Sequence, residues 1–252
     1  MCFNVSFGEL QNIMKIPKII HQVWSGIDGP LPDHFSALAQ TWKEKFPDWE
    51  YIVWNNKMMT EFIENKYLEY KYIYNKFPYN VQRWDAIRYL ILYEMGGMYV
   101  DFDYECVCNF EGIVKDKLCC FALEPSTHCK VFKRPINKVF NNALMLSTKG
   151  HPFMRKIIDN IFTQDILEGN WQNKEMCVLN TTGPWKLIDL YETLSLKEKE
   201  DIYLIPAKYV TPFDVPQAIR LRRGEISDEL EHCLEEAYAV HYFFGNWRFD
   251  NK

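Results

Sequence analysis

The sequence has no excess of positive charge. The chain has 29 lysines and arginines against 34 aspartates and glutamates, which gives a formal net charge of -5. A protein that binds nucleic acid normally presents a basic surface, so this balance argues against that class. A mildly acidic enzyme can still bind phosphates if a divalent cation supplies the positive charge.

Long apolar runs and leader features are also absent. No stretch approaches the roughly 20 apolar residues that a membrane-spanning helix needs. The opening MCFNVSFGELQNIMK lacks the basic start and apolar run of a secretory signal. We therefore expect a cytoplasmic protein that is soluble or associates peripherally with the inner face of a membrane.

The cysteines lack the spacing of a zinc or redox site. There are eight of them, and neither Cys106-x-Cys108 nor the adjacent pair Cys119-Cys120 matches such a motif. We expect reduced and mostly buried thiols, as in a cytosolic protein.

Alternating strand-like and helix-like segments predict an α/β fold with a largely parallel sheet. Predicted strands cover residues 16–24, 49–55, 98–105, 117–124, 137–147 and 235–243. Predicted helices cover residues 33–45, 57–76, 79–95, 151–162 and 184–194, with Asp33 as an N-cap and Gly96-Gly97 as a stop signal. The sequence has no repeat and no low-complexity linker, so we expect one domain over residues 1–252, with an acceptor-side region in its central and C-terminal parts.

The triplet Asp101-Phe102-Asp103 is the first candidate for chemistry. Residues two apart in a strand point to the same side, and two unpaired carboxylates are costly to bury in a core. Just past the carboxyl end of a strand they would meet where open α/β sheets bind ligands. Carboxylate oxygens suit Mg²⁺ or Mn²⁺, which in turn bind a diphosphate. Taken alone, the triplet is more typical of a solvated turn than of a metal site.

The helix before this triplet carries Asp85 and Arg88, which lie on one helical face. Gly96-Gly97 permits a tight turn that brings the helix close to the acidic strand. Beside a metal diphosphate, an aspartate can bind sugar hydroxyls and an arginine can offset negative charge. The same spacing is also typical of a surface ion pair.

The run RWDAIRYLILYEMGGMYVDFDYE resembles the signature of the DXD-containing sugar transferases of glycosyltransferase family 32. That family includes capsular-polysaccharide transferases and α-mannosyltransferases, and the glucosylating domains of large clostridial toxins are more distant relatives. IPKIIHQVWSG, FPDWEYIVWN, NNALMLSTKGHPFM, TTGPW and HYFFGNW match further family segments in the expected order. The resemblance spans nearly the whole chain.

The resemblance implies a GT-A fold, a Rossmann-like nucleotide-sugar-binding domain with a mixed, mostly parallel sheet. It implies transfer of a hexose with retention of anomeric configuration, either by same-face attack or by double displacement. The expected cofactor is Mn²⁺ or Mg²⁺. A UDP-sugar is the first expectation for the donor and GDP-mannose the second, and the expected acceptor is a glycan or a lipid-linked saccharide.

The resemblance also implies roles for individual residues. Catalytic roles fall to Asp85, Arg88, Asp101 and Asp103. Donor contacts fall to Trp24, Asp85, Arg88, Tyr99, Asp101, Asn142 and Trp247, with Trp24 stacked on the nucleobase. Metal coordination falls to Asp101, Asp103, His241 and Asn246. Asn246 departs from the family, which often has serine immediately before the tryptophan.

Other interpretations of these residues stay open at this point. Trp24 would ordinarily be a core residue, His241 a structural histidine and Asn142 a turn cap. Thr182-Gly183-Pro184 is typical of a helix start. A metal-dependent phosphohydrolase would more often show additional His or Asp clusters for two metals. A non-catalytic carbohydrate-binding module would account for the many aromatic residues, but not for a carboxylate pair beside Arg88.

Overall fold

The computed structural model describes residues 14–132, 135–245 and 247. The strands are β1 Ile19–Val23, β2 Glu50–Trp54, β3 Gly97–Val100, β4 Tyr104–Cys106, β5 Cys119–Leu123, β6 Phe140–Ser147, β7 Ile202–Ile205 and β8 Ala239–His241. The helices are α1 Asp33–Lys45, α2 Asn56–Lys66, α3 Lys71–Lys76, α4 Asn80–Met95, α5 Glu111–Val114, α6 Pro152–Ile161, α7 Gln164–Glu168, α8 Lys174–Thr181, α9 Pro184–Glu192, α10 Leu196–Glu200, α11 Ala207–Val210, α12 Val215–Arg222 and α13 Asp228–Leu234.

A central sheet has the strand order β2-β1-β3-β6-β5-β7. β1 runs parallel to β2 and β3, and β5 runs parallel to β7. β6 runs antiparallel to both of its neighbours, β3 and β5. The predicted α/β fold with a mixed, mostly parallel sheet is therefore confirmed.

Helices cover both faces of this sheet. One apolar cluster joins α4, α6 and α9 to the strands, and a second joins α1 to the opposite face through Trp42 and Phe46. All residues of β3 and β6 are buried as a result. Strands covered on both faces consist of near-continuous apolar residues, which explains why MYV and ALML lack alternation.

The turn between α4 and β3 depends on two glycines. Gly96 and Gly97 have φ angles of 70° and 103°, which L side chains rarely adopt. A Cβ atom on Gly97 would lie 2.6 Å from the carbonyl oxygen of Ile19. This turn therefore lets β3 pair closely with β1 directly after the helix ends.

His21, a fully buried residue of β1, supports the same turn. Its Nε2 lies 2.9 Å from the carbonyl oxygen of Gly96, and its Nδ1 accepts a hydrogen bond from Trp54 Nε1 at 3.2 Å. Because Nδ1 accepts, the ring proton is on Nε2, which donates to Gly96. Burial lowers the pKa of His21 to about 4, although the Gly96 carbonyl raises it slightly.

Several predicted boundaries were wrong. The helix predicted over residues 57–76 is interrupted at Tyr67, whose ring is buried and whose hydroxyl donates to Glu94 at 3.3 Å. Asp33 is the first helical residue of α1, and Pro32 occupies the N-cap. The acidic strand ends at Val100, so the aspartates lie in a turn.

β4 and β8 form a separate two-stranded sheet, and β8 is much shorter than predicted. Sequence patterns also missed β7 and several short helices, because these elements have too few residues to show a period. No helix in the described ranges combines the length and apolarity that crossing a bilayer requires.

We predict that Gly97→Ala lowers the free energy of unfolding by about 2–4 kcal/mol, because it adds both backbone strain and a clash with β1. Gly112→Ala is the matched control, since a Cβ atom there meets nothing within 4 Å. In urea unfolding, the free energy of unfolding of this control should lie within about 1 kcal/mol of the parental value. Equal stability of the two variants would contradict the proposed close approach.

We predict that His21 makes stability pH-dependent. Because its pKa is about 4 in the folded protein and 6.5 otherwise, the unfolded chain takes up the proton first. The contribution of His21 to the free energy of unfolding is fully present above pH 6.5 and is lost as the pH falls towards 4. This loss amounts to up to about 3 kcal/mol. Urea unfolding across this window should show a shallower slope for His21→Gln. His232→Gln, at an exposed histidine, should keep the parental slope, and identical slopes in all three proteins would refute the assignment.

Candidate active site

Arg88 of α4 lies at the centre of a buried polar network. Its Nη1 is 3.2 Å from Asp101 Oδ1 and donates to the carbonyl oxygen of Asn142 at 3.0 Å. Its Nη2 is 3.3 Å from Asp85 Oδ1. One guanidinium thus connects α4 with the end of β3 and with β6.

The donors of Arg88 are directed into the protein. Nε donates to the carbonyl oxygen of Trp84 at 3.2 Å, Cζ lies 4.4 Å from the centre of the Tyr99 ring, and the side chain is 6% exposed. Burial opposes the charge, but Asp101 and Asp85 outweigh it and raise the pKa of Arg88 above its usual value. Arg88 is therefore a fixed positive charge whose donors are occupied by groups of the protein itself.

Asp85 is buried beside Arg88, so the alternative of a surface ion pair is wrong. Its Oδ1 accepts a hydrogen bond from Asn142 Nδ2 at 2.9 Å, and its Oδ2 accepts one from Thr182 Oγ1 at 3.0 Å. Burial raises the pKa of Asp85 to about 6, against the opposing effect of Arg88. These donors compensate for the loss of water around a carboxylate.

Asn142 belongs to the same network, and it lies in β6 rather than capping a turn. Its Nδ2 also approaches the hydroxyl of Tyr89 at 2.8 Å, and that hydroxyl donates to the carbonyl oxygen of Thr182 at 2.7 Å. Sequence analysis identified neither Tyr89 nor Thr182 as a site residue. The available signals were the position of Tyr89 one helical turn after Asp85 and the motif TTGPW.

Asp101 follows the last residue of β3 and is the more exposed aspartate of the motif. Its side chain is 30% exposed, and Oδ1 accepts from the Tyr99 hydroxyl at 2.5 Å. Its backbone N–H donates to Ala143 at 2.7 Å, and Gln22 Nε2 donates to its carbonyl oxygen at 3.4 Å. The carboxylate is therefore held in place by neighbours while it still reaches solvent.

Asp103 faces the C-terminal segment. Its Oδ1 lies 3.3 Å from His241 Nε2, and its Oδ2 accepts from the backbone N–H of Phe244 at 3.0 Å. Burial alone would raise the pKa of Asp103, but His241 and the amide of Phe244 lower it below its usual value. The pKa of His241 is raised by Asp103, although burial opposes this. Both shifts favour an ion pair.

The segment 241–244 wraps around Asp103. His241 stacks on Tyr104, with ring centroids 4.3 Å apart and planes at 6°, and Tyr242 N–H donates to the Asp103 carbonyl oxygen at 2.9 Å. Phe243 has a φ of 49°, an uncommon conformation for a bulky residue. Nδ1 of His241 has no hydrogen-bond partner in the described part of the chain.

Trp24 lies just after β1 and is half-buried, with its ring packed against the apolar cluster that contains Phe35 and Phe102. Its Nε1 donates to Gly29 at 3.1 Å, and its ring contacts Phe102 edge-on with centroids 5.9 Å apart. This fixes the indole beside the acidic turn. Trp247 is also half-buried, whereas Asn246 lies outside the described residues.

The residues present fit a divalent cation. Asp101 and Asp103 supply carboxylate oxygens, and their side chains are 30% and 14% exposed. Among the described residues, no three His, Cys, Asp or Glu side chains form a metal cluster. Mg²⁺ typically uses one or two carboxylates and completes its shell with substrate phosphates and water. Coordination by His241 stays a prediction, since its Nε2 faces Asp103.

Comparison with known proteins gives a consistent result. Residues 32–119 match a family described as a glycosyltransferase sugar-binding region containing a DXD motif. Inositol phosphoceramide mannosyltransferase 3 of Schizosaccharomyces pombe is 31% identical over 170 residues, which cover 67% of this chain and 43% of that protein. The initiation-specific alpha-1,6-mannosyltransferase of Candida albicans is 25% identical over 93% of this chain and 72% of that protein.

The solved structure of the PaToxG glycosyltransferase superposes with a TM-score of 0.52 over 89% of each chain, at 17% identity. This likeness shows the shared GT-A fold. The chain spans about half the length of the inositol phosphoceramide mannosyltransferases that it matches.

We predict strong coupling between Asp85 and Arg88. Arg88→Met should cost about 3–5 kcal/mol of stability, because it leaves a buried carboxylate without its counter-charge. Combining it with Asp85→Asn should cost at least about 1 kcal/mol less than the sum of the single variants. Urea unfolding of all four proteins measures this difference.

The control is Arg155→Met, which breaks an exposed ion pair with Asp159. It should lower the free energy of unfolding by no more than about 1 kcal/mol. Additivity of Asp85→Asn and Arg88→Met within about 0.5 kcal/mol would contradict a buried ion pair.

Proposed function

Since this chain belongs to the DXD-containing glycosyltransferases of family 32, we propose that it transfers a hexose from a nucleotide sugar to a glycan or lipid-linked saccharide. The proposed reaction retains anomeric configuration and requires Mn²⁺ or Mg²⁺. The observation that carries this proposal is the buried Arg88 network, which holds Asp101 at the carboxyl end of β3 beside Asp103. Ligands of open α/β sheets bind at that end of the strands.

Electrostatics supports the need for a cation. The network contains Asp85, Asp101 and Asp103 against Arg88 and His241, so carboxylates outnumber the possible cations. A nucleoside diphosphate adds further negative charge to this place, and like charges at short range repel strongly where water is excluded. A divalent cation held by Asp101 and Asp103 would offset the charge of both groups. When bound, it would also stabilise the charge that gathers on the departing diphosphate.

The residues divide into two groups by exposure. Asp101 and Asp103 reach solvent, and together with Trp24 and Trp247 we propose that they contact the donor and its metal. Trp24 would stack on the nucleobase, where a base–aromatic contact is worth about 1–3 kcal/mol.

Asp85, Arg88, Tyr99 and Asn142 are buried, and their polar groups already bind one another. We propose that this second group orients Asp101 and supplies positive potential, with little direct contact to the sugar. This differs from the direct donor contacts that the family resemblance implies for the same residues. Fixed dipoles and charges of this kind act without reorganisation during the reaction.

The chemistry requires no protein acid for the leaving group, because a nucleoside diphosphate is already a good leaving group. The acceptor hydroxyl would attack on the same face, and the departing phosphate oxygen would take its proton. Buried Asp85, with both of its oxygens occupied, is poorly placed for the nucleophile of a double displacement. The proposal therefore favours the same-face route.

Two donor classes are proposed. A UDP-sugar follows from the toxin-like resemblance, with Trp24 on the base. GDP-mannose is the second candidate, favoured by the names of the relatives, which are mannosyltransferases. The name of the Schizosaccharomyces pombe relative, an inositol phosphoceramide mannosyltransferase, favours a phosphoinositol lipid headgroup as an acceptor. A cytoplasmic location, with peripheral contact to a membrane, stays a prediction from the sequence.

The test is a panel of UDP-glucose, UDP-galactose, UDP-N-acetylglucosamine and GDP-mannose, with nucleoside diphosphate release measured with Mn²⁺ and with EDTA. Release from one donor with Mn²⁺ and its loss with EDTA would support the proposal. Release of inorganic phosphate instead would indicate a phosphohydrolase. Binding of sugars without any turnover would indicate a carbohydrate-binding module.

We predict that Asp103→Asn lowers this turnover about a hundredfold or more, because it removes a charge from the proposed metal site. Asp116→Asn is the control, since Asp116 is exposed and belongs to no part of the network. Thermal unfolding of both variants separates lost catalysis from lost folding. A folded Asp103→Asn protein with parental turnover at saturating Mn²⁺ would rule out the metal assignment.

A further inference from the structure

An open groove of about 510 Å³ lies beside the candidate active site. Its walls come from α1, from the end of α12 and from the C-terminal segment that wraps around Asp103. Arg222, the last residue of α12, and Arg223, which follows it, form the basic wall. Leu38, Ile219 and Phe244 contribute apolar surface.

The two arginines of the groove differ in their ion pairs from Arg220, which lies on the same helix. In the part of the chain that the structure describes, no carboxylate ion-pairs with Arg222 or Arg223, and both side chains are exposed. Arg220, on the same helix, is held by Glu225 at 2.6 Å and by Glu229 at 2.8 Å. In a chain with net charge -5, two neighbouring arginines without a carboxylate partner among the described residues give a local positive potential that favours an anion.

Arg222 is also held in position by its surroundings. Its Cζ lies 4.6 Å from the centre of the Phe244 ring, and that ring stacks on His34 with centroids 5.2 Å apart and planes at 22°. A guanidinium that rests on an aromatic face keeps its edge free to donate hydrogen bonds. A planar donor edge of this kind matches the oxygens of a phosphate.

Phe244 connects the groove to the proposed metal site. Its ring forms part of the groove wall, while its backbone N–H donates to Asp103 Oδ2 at 3.0 Å. Tyr242, on the same wall, donates its backbone N–H to the carbonyl oxygen of Asp103 at 2.9 Å. A molecule in the groove therefore lies one residue away from a carboxylate that we assign to the donor metal.

We propose that this groove binds the acceptor through a phosphate group held by Arg222 and Arg223. The proposal rests on the glycosyltransferase function proposed above and assigns the acceptor side of that site. The phosphate lies against the two guanidinium groups, and the apolar surface of Leu38, Ile219 and Phe244 contacts a carbon-rich portion of the acceptor. A sugar or cyclitol ring attached to the phosphate then has its hydroxyls on the side of Asp103.

The experiment compares myo-inositol 1-phosphate with myo-inositol as calorimetric probes of the full chain, without a donor. The phosphorylated probe should bind and the neutral one should not, and added salt should weaken binding because both arginines are exposed. The double variant Arg222→Gln, Arg223→Gln should lose about tenfold or more in affinity for the phosphorylated probe, as expected for charge-assisted hydrogen bonds.

The matched control is Lys57→Gln, Arg155→Gln, which removes the same charge from exposed helical pairs elsewhere. It should bind the phosphorylated probe like the parent. Equal losses in the two double variants would mean that net charge, and not the groove, attracts the probe. Equal affinity of the parent for inorganic phosphate and for inositol 1-phosphate would also overturn the assignment, since the apolar wall would then contribute nothing.

A second arm uses phosphatidylcholine vesicles with and without phosphatidylinositol. Phosphatidylinositol-dependent binding that the arginine variant loses would identify a lipid headgroup as the source of the phosphate. Binding of the soluble probe without vesicle binding would identify a free headgroup or glycan phosphate instead. Binding of neither probe would refute the proposal.

The results distinguish a failure of the groove assignment from a failure of the proposed glycosyltransferase function. If the parent releases nucleoside diphosphate from a nucleotide sugar but does not distinguish inositol 1-phosphate from inositol, the groove assignment is wrong and the proposed function stands. If no donor is turned over, the proposed function is wrong, whereas the affinity of the groove for phosphate is still measured directly.

Discussion

The structure of the candidate site depends on one buried guanidinium. Arg88 ties Asp85 of its own helix to Asp101 at the end of β3 and to the backbone of β6. Two carboxylates this close would repel each other in a medium that water barely enters. The positive charge of Arg88 offsets this repulsion. Asn142 and Thr182 donate hydrogen bonds to the two carboxylate oxygens of Asp85. Removing any partner would leave another polar group buried without compensation.

Backbone geometry determines where this guanidinium meets its partners. The Gly96-Gly97 turn reverses the chain directly after α4, and His21 holds that turn against β1 through a neutral ring nitrogen. β3 ends at Val100, so Asp101 lies at the carboxyl end of this central strand, where its amide donates to the carbonyl oxygen of Ala143 of β6. The packing of α4 against the sheet therefore also sets the positions of Arg88 and Asp101. A shift of β3 by one residue would bring Phe102 to the position opposite Arg88.

Local sequence patterns predicted much of this arrangement and failed where distant segments meet. The periodicity of residues 79–95 and the paired glycines identified α4 and its end, and the family resemblance named Asp85, Arg88 and Asp101. Spacing suggested that Asp101 and Asp103 would share one face, but the chain turns between them. Asp101 then faces Arg88, and Asp103 faces His241, which is separated from it by more than half of the chain. No local period encodes a contact of that kind.

Sequence patterns did not identify Tyr89 and Thr182 for a similar reason. Their hydroxyl groups belong to the site only because the fold buries the Asp85 carboxylate close to them. The break at Tyr67 reflects the burial of a single ring, which overrides good helical residues on either side.

The C-terminal segment also depends on contacts between residues that are distant in the sequence. Phe243 adopts a left-handed backbone, which brings the amide of Phe244 to Asp103 while the Phe244 ring stacks with His34 and Arg222. Phe244 therefore contacts the acidic turn with its backbone and the basic groove with its ring, a link that joins residues from three distant parts of the sequence.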